Sequence, residues 1–189
     1  MSTLEVNTIT PQSGTTLTLG GSGDTVSVAS GVTNNLGITM ADQWRLTVSF
    51  TGGATPIASN LARINTNAQG TLGTGMTESS GIFTFPSTGI YYVTFTVLFN
   101  NVAADTSIEG HIMGTIDNSS YTYLATVRES LDGTSGENHQ GTTSTLVDVT
   151  DTSNVKVRFD ITSNVANNRI YGDLGANNTH MTFIRLGDT

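Results

Sequence analysis

The chain has 189 residues, only 12% of them charged, and is rich in Gly, Ser, Thr and Asn, a composition that suits short strands and tight turns in one core-forming domain of about 150 residues plus an appendage. A net charge of -8, with Lys156 as the single lysine beside six arginines, offers no basic surface for phosphates and argues against nucleic-acid binding. The absence of cysteine excludes disulfides and thiolate metal sites, and no segment approaches a membrane span, so no membrane insertion is expected.

Residues 1–40 read as an arm of short strands. Three apolar alternations, Leu4/Val6, Leu17/Leu19 and Val26/Val28, are separated by Pro11-Gln12-Ser13-Gly14 and Gly20-Gly21-Ser22-Gly23-Asp24, and the last two repeat at a spacing of nine. Each buries too little to stand alone, so the arm needs three chains wound together or a docking surface on a partner. From residue 41 onward the reading is a domain, 41–189. Trp44, Leu46, Val48 and Phe50 alternate, and 51–75 is a polar connection with Pro56 and a helical turn near Leu61. Strands are predicted at 81–85, 90–99, 107–116, 121–130, 140–149, 155–161, 168–174 and 179–186, with no amphipathic helix. Turns at 116–121 and at Leu131-Asp132-Gly133-Thr134 read as hairpin connections. Gly110 and Gly114 share a face with Ile108 and Ile112, which predicts close approach or a bulge.

The stretch 81–95 carries the most information. Phe83 and Phe85 lie on one side, 86–89 turns, and Tyr91, Val93, Phe95, Val97 and Phe99 alternate down the next strand. The opposite face, Ile90, Tyr92, Thr94, Thr96 and Leu98, is also largely apolar, so both faces are expected to be covered, one by a second sheet and the other by a neighbouring subunit. Ile90, Tyr92, Thr94 and Leu98 are therefore the candidate self-association residues.

Gly89, Tyr91, Val93 and Phe95, with Thr145-Leu146-Val147-Asp148-Val149, the turn at Asp151-Thr152-Ser153-Asn154 and the closing strand 179–186, resemble the signature of the complement C1q and tumour necrosis factor superfamily. Over residues 41–189 this resemblance implies an all-β jelly-roll sandwich of about ten strands and a homotrimer. The opening residues 4–17, Asp42-Gln43-Trp44-Arg45-Leu46 and Gly75-Met76-Thr77-Glu78-Ser79-Ser80-Gly81 further resemble structural proteins of tailed phages of marine bacteria and cyanobacteria. That likeness implies a virion fibre or appendage. Its N-terminal arm attaches to other virion proteins, and its trimeric head is exposed for host adhesion or particle stabilisation. The start of the chain has neither a basic region nor an apolar run, so synthesis in the host cytoplasm and release by lysis are expected, with the virion as destination. The alternative is a soluble C1q-like carbohydrate- or ligand-binding module of a cell.

No catalytic constellation accompanies these features. There is no Gly-x-Ser-x-Gly elbow, most acids fall in turns, and the histidines, His111, His139 and His180, lack ligand spacing, so neither enzyme activity nor a cofactor is expected. Asp148, Asp151 and Asp160 offer hard oxygen ligands for calcium, but no continuous calcium loop frames them. Tyr121, Tyr123 and Tyr171, with His139 in a polar loop, are the candidate contacts to a receptor, a host-surface glycan or protein, because loops on a rigid scaffold carry recognition and tyrosine pairs contact area with a polar tip.

Overall fold

The computed structural model describes residues 8–25, 37–102, 105–131 and 136–189. The chain divides into two compact units, Met1–Asn35 and Leu36–Thr189. In the first, the strand expected at Leu17/Leu19 does not form. Both side chains are exposed and residues 8–25 contain turns but no strand, because a two-residue alternation without a partner strand buries too little apolar surface. The Leu4/Val6 and Val26/Val28 alternations lie outside the described residues.

The second unit is a two-sheet antiparallel sandwich. Its strands are β1 (Met40–Leu46), β2 (Phe50–Thr51), β3 (Leu61–Arg63), β4 (Thr77–Ser79), β5 (Ile82–Thr84), β6 (Gly89–Asn100), β7 (Asp105–Thr115), β8 (Thr122–Leu131), β9 (Asn138–Val149), β10 (Lys156–Ser163), β11 (Arg169–Ile170) and β12 (His180–Gly187). One sheet, A, runs β2-β11-β6-β12-β1-β3, with β9 paired along the other edge of β6. The other, B, runs β4-β5-β10-β7-β8. The chain crosses between sheets at six connections and stays within sheet B at β4–β5 and β7–β8, which is jelly-roll connectivity.

Alternation built these strands. The inward residues of β6, Tyr91, Val93, Phe95, Val97 and Phe99, are fully buried, while Ile90, Tyr92, Thr94 and Leu98 face outward and are half-buried or exposed. Phe83 on β5 sits at the centre of the core, with ring centroids 5.4 Å from Trp44, 5.4 Å from Phe159 and 5.2 Å from Phe183. Each such ring, once buried, contributes about 1.5–3 kcal/mol, so this four-ring contact pins the sheets together. The turn into β5 is fixed locally: Ser80 and Gly81 both have positive φ (52° and 83°), the requirement of a type I′ hairpin, and the Gly81 N–H donates to Glu78 Oε1 at 2.6 Å. Tyr91 ties the following turn by donating its hydroxyl to the Ser87 carbonyl at 2.9 Å.

The two glycines of β7 have the predicted role. A Cβ on Gly110 would come within 2.9 Å of Val97, and the register between β7 and β8 slips between Ile112 and Met113, a bulge beside Gly114. Four expectations are corrected. Leu61 lies on β3, paired with Leu46 across β1, and not in a helical turn. The alternation from Trp44 breaks after Leu46, where Thr47 bonds Asn60 through both its N–H and its hydroxyl, and resumes only at Phe50–Thr51. Of 168–174 only Arg169–Ile170 is strand. From Asp132 on, the turn read at Leu131-Asp132-Gly133-Thr134 lies outside the described residues, but the strands on either side of it do not form the expected hairpin: β8 pairs β7 in sheet B, whereas β9 pairs β6 in sheet A. Turn residues announce a reversal of direction but not which sheet receives the next strand.

Candidate binding surfaces

Two outward faces and one loop end hold the residues singled out by sequence. On sheet A, pairing register lines up an apolar row. Leu146 of β9 stands opposite Tyr92 of β6, Tyr92 opposite Ile184 of β12, Ile184 opposite Ala41 of β1, and Ala41 is bridged to Leu72. Opposed residues in antiparallel strands share a face, so the row crosses the sheet. Leu146 is 61% exposed and Tyr92 37%. Half-buried Ile90, Thr94 and Leu98 lie along the same face of β6.

The outward face of sheet B is polar and aromatic. Across β10, β7 and β8 the register sets Asp160 opposite His111 and His111 opposite Thr126, with Glu109 opposite Arg128 one step along. His111 is buried and held through both ring nitrogens, Nδ1 to Thr126 Oγ1 at 3.0 Å and Nε2 to Thr162 Oγ1 at 3.1 Å. Glu109 Oε1 accepts from Arg128 at 2.9 Å, and Asp160 Oδ2 accepts from Arg158 at 3.0 Å. Tyr123 stands edge-on to the His111 ring with centroids 4.8 Å apart, and the Arg158 guanidinium lies over the Tyr121 ring at 4.4 Å. Two of the four receptor-contact candidates, Tyr121 and Tyr123, thus meet on one surface.

The other two lie at one end of sheet A. His139 is on β9 opposite Phe99, not in the polar loop that sequence suggested, because the register of β6 with β9 runs on to Asn138. Tyr171 follows β11, donating its N–H to the Leu98 carbonyl at 3.0 Å, and Arg169 lies over its ring at 4.9 Å. At the same end of the sheet the Asn101 N–H donates to the Glu137 carbonyl at 2.9 Å and the Gly136 N–H to the Asn101 carbonyl at 2.7 Å. Asp148, Asp151 and Asp160 are spread over β9, a turn and β10, and among the described residues no three His, Asp or Glu side chains converge on a cation position. A cavity of about 450 Å³ opens between the start of β8 and the end of β9, walled by Ile116, Leu124, Leu146 and Val155.

The charge state of the sheet B face gives it a pH signature. Burial pushes the His111 imidazole below its ordinary 6.5 and outweighs the pull of Glu109 and Asp160, with Arg128 pushing the same way. His180 is lowered as well, chiefly by burial. Burial raises the Asp160 carboxyl above 3.8, against Arg158 and His111. Below 6.5 the unfolded chain binds protons that these two folded imidazoles resist, so stability falls as pH drops through 6.5. Asp160 acts in the opposite sense, since the folded carboxyl takes up its proton first and restores part of the loss nearer 3.8. Thermal melting followed from neutral to mildly acidic pH is expected to show this decline, and His111→Gln, which keeps hydrogen-bonding capacity without the titration, is expected to lessen it, leaving the share that His180 contributes.

No family model and no curated protein sequence matches the chain. Solved structures do. Murine APRIL is similar with a TM-score of 0.58 at 13% identity, covering 78% of this chain and 98% of that one. Eiger TNF from S. frugiperda is similar with a TM-score of 0.60 at 10% identity, covering 81% of this chain and 95% of that one. Likeness at this identity speaks to fold: the second unit is a TNF-like jelly-roll sandwich.

Proposed function

We propose that this chain is a non-enzymatic, homotrimeric structural protein of a phage virion, attached to other virion proteins through residues 1–40 and presenting its jelly roll for host adhesion or particle stabilisation. The observation that carries the trimer is the row Leu146, Tyr92, Ile184, Ala41 and Leu72 across the outward face of sheet A. A contiguous apolar row, exposed at Leu146, Tyr92 and Leu72 and half-buried at Ile184 and Ala41, on a sheet that has already filled its inner face is the mark of an interaction surface. Self-association also supplies stability that a cysteine-free chain cannot draw from disulfides. The resemblance of the opening residues and of 75–81 to tailed-phage structural proteins supports the virion setting. In that setting Tyr121 and Tyr123 on sheet B serve as receptor contacts.

Light scattering on purified protein is expected to give about threefold the 19.8 kDa chain mass, and gold-labelled antibody to the protein is expected to decorate intact particles. A stable monomer with no affinity for particles would overturn both parts. The second reading, a carbohydrate-binding module of a cell, draws on the polar and aromatic face of sheet B, and a gene neighbourhood without virion genes would favour it.

A further inference from the structure

A bulge and a glycine open one side of the sandwich. Among the described residues β8 pairs only with β7 and β9 only with β6, so each is the edge strand of its sheet. In the β7–β8 ladder Ile112 stands opposite Ala125 and Met113 opposite Tyr123, which makes Leu124 the extra residue of the bulge. Its side chain lies on the bare backbone of Gly114, where an added Cβ would stand 2.5 Å from Leu124 Cδ1. The space left at this edge is the cavity of about 450 Å³, within the range of about 300–1,000 Å³ typical of small-molecule sites. Buried Val147 and Val155 wall it together with Leu124, which is itself 40% exposed.

The charged groups around this cavity are unequal. Lys156 lends its stem to the wall, but its ammonium is held on the β5 side, donating to Thr84 Oγ1 at 3.0 Å, and Thr84 is not a wall residue. Asp117 and Asp148 also line the cavity, and neither joins an ion pair among the described residues. Asp117 is oriented by its own turn, accepting at Oδ1 from the Ser120 N–H at 2.7 Å, the Ser119 N–H at 2.9 Å and Thr115 Oγ1 at 2.8 Å. These donors are neutral, so they fix the carboxylate without cancelling its charge. An apolar hollow edged by two unpaired carboxylates complements a ligand that is apolar at one end and cationic at the other.

From this we infer that the cavity at the β8–β9 edge binds a small apolar molecule ending in an ammonium group. The apolar body packs among Leu124, Val147 and Val155, and the ammonium meets Asp117 and Asp148. The site goes beyond the assembly and receptor surfaces proposed above: it shares only Leu146 with the apolar row, and neither Tyr121 nor Tyr123 lines it.

Calorimetric titration of the full chain with hexylamine, hexan-1-ol and hexanoate compares three head groups on one apolar body. At physiological salt, where the overall charge of the chain is screened, hexylamine is expected to bind about three- to fivefold more tightly than hexanol, and hexanoate more weakly than either. Asp148→Asn is expected to erase most of the advantage of the amine and leave the alcohol unchanged. Leu124→Trp, which fills the cavity from the bulge, is expected to weaken amine and alcohol alike, by about tenfold. Circular dichroism and light scattering on each variant check fold and assembly. Amide shift mapping with hexylamine needs no variant: changes centred on Gly114, Leu124, Val147 and Val155 support the site, and changes centred elsewhere overturn it. Binding of none of the three, hexanoate binding as tightly as hexylamine, an advantage of the amine that survives Asp148→Asn, or full affinity in a folded Leu124→Trp would each overturn the assignment as well.

Discussion

Asp42→Ala is expected to cost about 2–5 kcal/mol of folding stability, because it strands donors at roughly 1–3 kcal/mol each while the Arg63 cation, 36% exposed, can still be hydrated. The carboxylate is fully buried on β1 and accepts from donors on several segments: Trp44 Nε1 at 2.9 Å, Arg63 Nε of β3 at 3.0 Å, the Met76 N–H at 2.8 Å and Thr71 Oγ1 at 3.3 Å. Arg63 also donates to the Met76 carbonyl. Alanine would strand the buried Met76 N–H and the indole N–H, each a desolvated donor with no acceptor. It would also release the indole that stands edge-on to Phe83 in the core. Asp42→Asn keeps the shape but turns one acceptor into a donor facing donors, so it is expected to fall between wild type and Asp42→Ala. Urea unfolding of the three proteins measures this, and a loss below about 1 kcal/mol for Asp42→Ala would mean that solvent reaches the site and re-pairs the donors.

Local pattern carried much of this fold and little of its long-range pairing. Alternation with a period of two placed β6, β10 and β12 close to their observed bounds, since each has one face wholly in the core. Gly110 and Gly114 signalled the tight packing on β7 because a missing side chain on an inward face has few other uses. By contrast, nothing near Asp42 in the chain marked it as a hub: its partners at positions 63, 71 and 76 arrive only when β3 pairs with β1 and the connection to β4 folds back. The polar face of sheet B was hidden for the same reason. Glu109 and His111 read as ordinary strand positions until β10 and β8 bring Asp160 and Arg128 beside them. Tyrosine on the predicted strand 121–130 was a usable hint only to the outward face of sheet B, where Tyr123 meets His111 and Tyr121 meets Arg158. Placing His139 in a loop followed from the Gly, Ser and Asn around it, whereas the β6–β9 ladder extends through that composition because both strands are long enough to keep pairing.

Tyr92→Asp is expected to convert the proposed trimer to monomers without unfolding them, the largest functional change a single outward substitution should produce here. Tyr92 occupies the middle of the apolar row, with Leu146 on one side and Ile184 on the other. In the isolated unit it is 37% exposed, so an aspartate there is hydrated and the fold tolerates it. In an assembly that covers the row, the same carboxylate is surrounded by apolar side chains with no cation provided, a cost of several kcal/mol at each symmetry-related contact. Leu98→Asp tests the far end of β6 on the same face, where the backbone is also tied by the Leu98 N–H to Thr179 Oγ1 at 3.2 Å. Tyr92→Phe should remain assembled, because the ring supplies the buried area. Light scattering across a dilution series, with circular dichroism on each sample, separates dissociation from unfolding. Trimers that persist in both aspartate variants would show that the row is not the interface and would return the outward face of sheet A to solvent.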